Sequence, residues 1–120
     1  MQNPTASLLL TTLFMQVDLL QPITHINGTP INEKKDGKEK DITLKDICIR
    51  ALVTHISENK KDEIVSPEQK FKNGLLAETL YQNDTVELKA EEITLLKNRI
   101  GKIFTTEVVV SSWKLLDPEK

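Results

Sequence analysis

Thr43-Leu44-Lys45-Asp46-Ile47-Cys48-Ile49-Arg50-Ala51-Leu52-Val53 is the stretch that decides the fold. Thr43 precedes Asp46 by three residues, the order of a capping box, in which hydroxyl and carboxylate each satisfy a backbone N–H that a helix start leaves unpaired. Leu44, Ile47, Cys48, Ala51, Leu52 and, just beyond, Ile56 then recur at three- and four-residue steps and line one helical face. Ile49 and Val53 widen the stripe, so this helix is expected in the core, covered on more than one side.

Toward the C-terminus, Ser66-Pro67-Glu68-Gln69 sets a capping hydroxyl, a first-turn proline and a glutamine in the order of a second helix start. Phe71, Leu75, Leu76, Thr79 and Leu80 are its expected buried face, and Asn83-Asp84 ends it. Gly74 weakens its middle by about 1 kcal/mol relative to alanine. Thr85-Val86-Glu87-Leu88 alternates only long enough for a short strand or an extended connector. A third helix follows from Ala90, with Glu91 and Glu92 in its first turn, Ile93, Leu96, Ile100, Ile103 and Phe104 inward, and Lys97, Arg99 and Lys102 in its C-terminal half. Val108-Val109-Val110 has strand propensity. Thr106 as cap, Glu107 in a first turn and the spacing of Val109, Trp113 and Leu116 favour a helix over 107–116, with Trp113 in the core.

Toward the N-terminus, the run from Glu33 to Asp41 is almost wholly charged and reads as a solvated loop, with Asp36-Gly37 as its turn. Before it, Asn27-Gly28 separates Ile23-Thr24-His25-Ile26 from Thr29-Pro30-Ile31, a hairpin signal because both turn residues accept positive φ, and Pro30 confines its strand to an edge. Leu8, Leu9, Leu13, Phe14, Val17 and Leu20 share one helical face. Residues 1–21 are therefore expected as a Leu-rich helix or arm ending at Gln21-Pro22, ahead of a helical domain over 22–120. The expected fold class is mainly α (α+β): a compact bundle of about four helices with a small N-terminal β-hairpin and a charged loop over 33–41.

Composition narrows the function. The 16 basic residues against 18 acidic ones give a formal charge of -2, so no global field draws the molecule to phosphate backbones. One cysteine excludes an internal disulfide and a thiolate zinc cage. The Leu-rich N-terminal stretch lacks a preceding Lys or Arg, which argues against a secretory signal, and Gln16 and Asp18 interrupt it well short of the roughly 20 apolar residues of a membrane span. A reducing, cytoplasmic setting is expected.

The residues that carry chemistry do not converge in sequence. His25 and His55 lie on different elements without ligand-spaced carboxylates or thiols, and a Cys48–His55 dyad would stand two helical turns apart, about 10 Å. Gly28, Gly37, Gly74 and Gly101 are scattered singly, so no phosphate-cradling loop is present. Glu91 with Glu92 and Asp62 with Glu63 are explained by capping and solvation. No catalytic residue, cofactor or metal is expected. Lys97, Arg99 and Lys102 form the one compact basic patch, the basis of an alternative reading as a nucleic-acid-binding regulator whose C-terminal helix pair imitates a helix-turn-helix. Against it, the segment from Val108 to Leu116 offers Lys114 as its one cation and no Arg, Asn or Gln to read base edges.

From Pro22 onward the chain resembles a family of small proteins encoded by tailed phages and prophages. The likeness is carried by Pro22-Ile23, Asn27-Gly28-Thr29-Pro30-Ile31, Ile42-Thr43-Leu44-Lys45-Asp46 with Ala51-Leu52, Glu87-Leu88-Lys89-Ala90-Glu91-Glu92-Ile93, Gly101-Lys102, and Val109 with Trp113-Lys114-Leu115-Leu116. It implies a phage or prophage origin and a bacterial host cytoplasm, and it transfers no active site. The expected function is non-enzymatic protein–protein binding, by modulation of a host factor or in virion assembly. Leu9, Leu10, Leu13 and Phe14 are the expected partner contact, and any homo-oligomer is expected to form through the same segment.

Overall fold

The computed structural model describes residues 14–58, 61–62 and 64–118. In chain order the elements are β1 (Phe14–Asp18), β2 (Asn32–Lys35), β3 (Lys38–Asp41), α1 (Leu44–Val53), β4 (Ser57–Glu58), β5 (Lys61–Asp62), α2 (Pro67–Gln82), β6 (Thr85–Lys89), α3 (Ala90–Ile103) and α4 (Thr106–Leu116). Among the described residues, four helices and small antiparallel strand pairs make an α+β fold, as the sequence pattern predicts.

Helix α1 is the hub. Its capping box forms: Asp46 N donates to Thr43 Oγ1 at 3.4 Å, and Thr43 N donates to Asp46 Oδ2 at 3.0 Å. Leu44, Ile47, Cys48, Ala51 and Leu52 are buried, and α2, α3 and α4 all pack against this helix. Ser66 caps α2 by accepting from Gln69 N at 3.1 Å. Lys89 N donates to Glu92 Oε1 at 2.8 Å and closes the start of α3. The last element is the helix that its spacing predicts, but its N-cap is Thr105 and not the expected Thr106, and no side-chain hydrogen bond caps it.

Several expectations are corrected. The helical face drawn through Phe14, Val17 and Leu20 does not form in the described part of 1–21, because Phe14–Asp18 is a strand. It pairs antiparallel with β6, Phe14 opposite Lys89 and Asp18 opposite Thr85. Val17, Leu19, Val86 and Leu88 are buried, so an alternation of period two wins once a partner strand exists. Phe14–Asp18 thus belongs to the sheet.

The charged run over 33–41 is not a loop. Asn32–Lys35 and Lys38–Asp41 form a regular hairpin with Glu33 opposite Lys40 and Lys34 opposite Glu39. Asp36 at φ 53 and Gly37 at φ 77 supply the paired positive angles of a tight two-residue turn whose twist suits the flanking strands. The hairpin expected around Asn27-Gly28 is slighter: His25 N donates to Thr29 O at 2.8 Å, and one bridge joins Thr24 to Pro30.

Helix α2 buries Asn73, Ala77 and Leu80, not the predicted Phe71 and Leu75, and Phe71 is 67% exposed. Trp113 is 38% exposed, against the expectation of a core tryptophan. It lies over the seam between α3 and α4, where its ring edge is 3.4 Å from the position a Cβ would take at Gly101.

Candidate functional site

α2 and α3 both pack on α1, and a groove of about 590 Å³ lies between α2 and the junction of β6 with α3. One wall is the α2 face carrying Lys72, Leu75, Leu76 and Thr79; the other is β6 with the first turns of α3, carrying Val86, Leu88 and Leu95. Val86 and Leu88 are buried from below while Leu76 and Leu95 are half-buried, so the floor is apolar and reachable. The rim is polar, with Glu87 and Glu91 exposed.

Several of the groove's polar groups serve structure. Asn73 is buried and accepts from Gln69 Nε2 at 2.7 Å, which ties the first turns of α2 together. Glu92 is engaged by the backbone of Lys89. Two large apolar side chains are also exposed there, Leu75 on the wall and Phe71 one turn before it on α2.

The three cations of the expected basic patch do not share a surface. Arg99 is 6% exposed and turned inward, donating from Nε to Ala51 O at 2.5 Å and from Nη2 to Thr54 O at 2.6 Å. Lys97 places Nζ 3.3 Å from Asp117 Oδ2 and 4.7 Å from the centroid of the Trp113 ring, whose Nε1 donates to Lys97 O at 3.1 Å. Lys102 is exposed. The residues fall on one helix as their spacing requires, yet packing draws two of them into the structure.

Of the expected partner contact, Leu9, Leu10 and Leu13 lie outside the described residues, and Phe14 opens β1 beside Lys89 with its ring half exposed. His25 and His55 remain on separate elements. His25 Nδ1 lies 3.2 Å from Glu107 Oε2, which also accepts from Ile26 N at 2.8 Å. That backbone bond, ahead of the His25 contact, holds the Glu107 carboxyl below its ordinary range against a smaller opposing effect of desolvation. His55 opens with Lys70 and Arg99 on a second, smaller cavity of about 320 Å³. Cys48 is fully buried, and desolvation pushes its thiol up to about 12. Among the described residues no group of three or more His, Cys, Asp or Glu side chains could hold a metal ion, and no helix is long and apolar enough to cross a membrane.

The groove is the feature that sequence reasoning misses, because Phe71, Leu75 and Leu76 read as core residues. A signal is present: Asn73, Ala77 and Leu80 also share a face, and a small residue at the contact lets α2 pack closely on α1. Comparison with family models, curated proteins and solved structures gives no match to this chain.

Proposed function

We propose that this chain is a non-enzymatic binding protein, of the tailed-phage or prophage kind that its sequence resembles, which acts in the bacterial host cytoplasm by docking another protein. The partner is a host factor that it modulates or a component of virion assembly. One observation carries the reading: an open, apolar-floored groove between α2 and α3, flanked by the exposed Phe71 and Leu75. Apolar surface that stays in contact with water beside a concave floor is the usual form of a protein-recognition site, where a few anchors are desolvated in a pocket and the polar rim excludes water around them.

The nucleic-acid reading gains no support from the placement of its residues, since Arg99 faces the core and Lys97 is held by Asp117 and Trp113.

Affinity purification from infected or lysogenic cells, run in parallel with the wild-type chain and Leu75→Glu, tests the proposal. Leu75 is exposed enough that a carboxylate there leaves the fold intact, which a thermal melt verifies. A protein retained by the wild type and lost by the variant is the expected result. Equal recovery on both, or recovery of nucleic acid with a steep salt dependence in its place, overturns the reading.

A further inference from the structure

We propose that, while no partner is bound, the groove between α2 and α3 is occupied by the chain's own Leu-rich N-terminal segment, residues 1–13. The inference deepens the docking reading and rests on it for the groove's role, but its test needs no partner.

The point of departure is where the segment joins the fold. Phe14 sits opposite Lys89, the last residue of β6 and the one before α3 begins. Glu91 and Leu95, in the first turns of that helix, line the groove. Phe14, the residue to which the segment is joined, therefore opens its strand at the groove's edge.

Reach and chemistry agree with that position. Leu8, Leu9 and Leu10 precede Phe14 by four to six residues, which extended chain carries across roughly 13–20 Å. The α2 wall from Lys72 to Thr79 is about 10 Å long at the helical rise. The leucines can thus lie along the wall and the remaining residues can follow. Residues 1–13 carry no charged side chain, and their leucines match a floor made by Leu76, Val86, Leu88 and Leu95. A tether this short sets an effective concentration in the millimolar range, so the chain's own segment outcompetes the segment of a second copy at ordinary concentrations. A protein partner must then displace it, and its affinity rises when the segment is disabled.

A nitroxide on Ser7→Cys in the full chain reads the contact directly, with Cys48 buried and unreactive. Methyl NMR should show selective broadening of Leu75, Leu76, Leu88 and Leu95, undiminished by excess unlabelled chain. Carrying Leu8→Ser, Leu9→Ser and Leu10→Ser together in the labelled chain should abolish the broadening while the methyl resonances of the α1 core keep their positions. Broadening on another face, broadening that fades on dilution with unlabelled chain, or none at all overturns the proposal. If the groove stays unbroadened while Leu75→Glu still loses the partner, this inference falls and the docking reading stands. If the groove broadens but partner binding ignores Leu75→Glu, the docking reading falls alone.

Discussion

Arg99 Nε and the Ala51 carbonyl, 48 residues apart in sequence, meet at 2.5 Å where α1 ends. With Nη2 on Thr54 O at 2.6 Å, the guanidinium serves carbonyls that a helix C-terminus leaves without partners, and its charge opposes the negative end of the helix dipole. Arg99→Met leaves the buried Ala51 carbonyl and the part-buried Thr54 contact without the guanidinium and should cost about 2–3 kcal/mol, the range of charge-assisted bonds. Arg99→Lys should restore little, because an ammonium cannot span two acceptors as the planar fork does. Urea denaturation measures both, and a loss below about 0.5 kcal/mol for either variant contradicts the assignment.

Glu107 makes stability depend on pH in one direction. Its folded carboxyl is held below the ordinary value of about 4.3. The stabilisation it contributes is therefore fully present above that ordinary value and is lost as pH falls through the lowered one. The difference in melting temperature between wild type and Glu107→Ala should be constant near neutrality and shrink on acidification. A difference that widens in acid would falsify the sign.

Cys48 should report unfolding. With no exposed surface and its thiol pushed up to about 12, it presents almost no thiolate in the folded state. Labelling by an aromatic disulfide at pH 8 should proceed only through opening of the α1 core and accelerate in proportion to the unfolded fraction as urea is added. Fast stoichiometric labelling of the native chain contradicts this burial.

Gly37 holds the charged hairpin in register. At φ 77 a β-branched side chain is strained, so Gly37→Val should destabilise the turn by about 1–2 kcal/mol and speed amide exchange throughout β2 and β3. Space is not the cause, since nothing lies within 4 Å of the added Cβ. Unchanged exchange in Glu33 and Lys40, a hydrogen-bonded pair in that register, argues against the assigned turn.

Much of the helical frame is legible in the sequence because its signals are local. Thr43 with Asp46 and Ser66 with Gln69 act within one turn, and the faces of α1 and α3 repeat long enough to outweigh alternatives. What is not legible depends on distant partners. Val17 suits a helical stripe as well as an alternating one until β6 arrives, and the ladder from Asn32 to Asp41 has no hydrophobic pattern to announce it. The groove is hidden for the same reason. Nothing within α2 tells whether Leu75 or Ala77 meets α1, and only the packing of a second helix decides it. Arg99 is the sharpest case, a cation whose spacing with Lys97 and Lys102 suggests a surface while two carbonyls of another helix draw it inside.

The pairing of Phe14–Asp18 with Thr85–Lys89 sets an order of events during translation. The strand made first has no mate until Lys89 has cleared the ribosome, and until then its apolar side chains travel unprotected. Nascent chains stalled before that residue should be the ones that recruit chaperones, and those stalled beyond it should not.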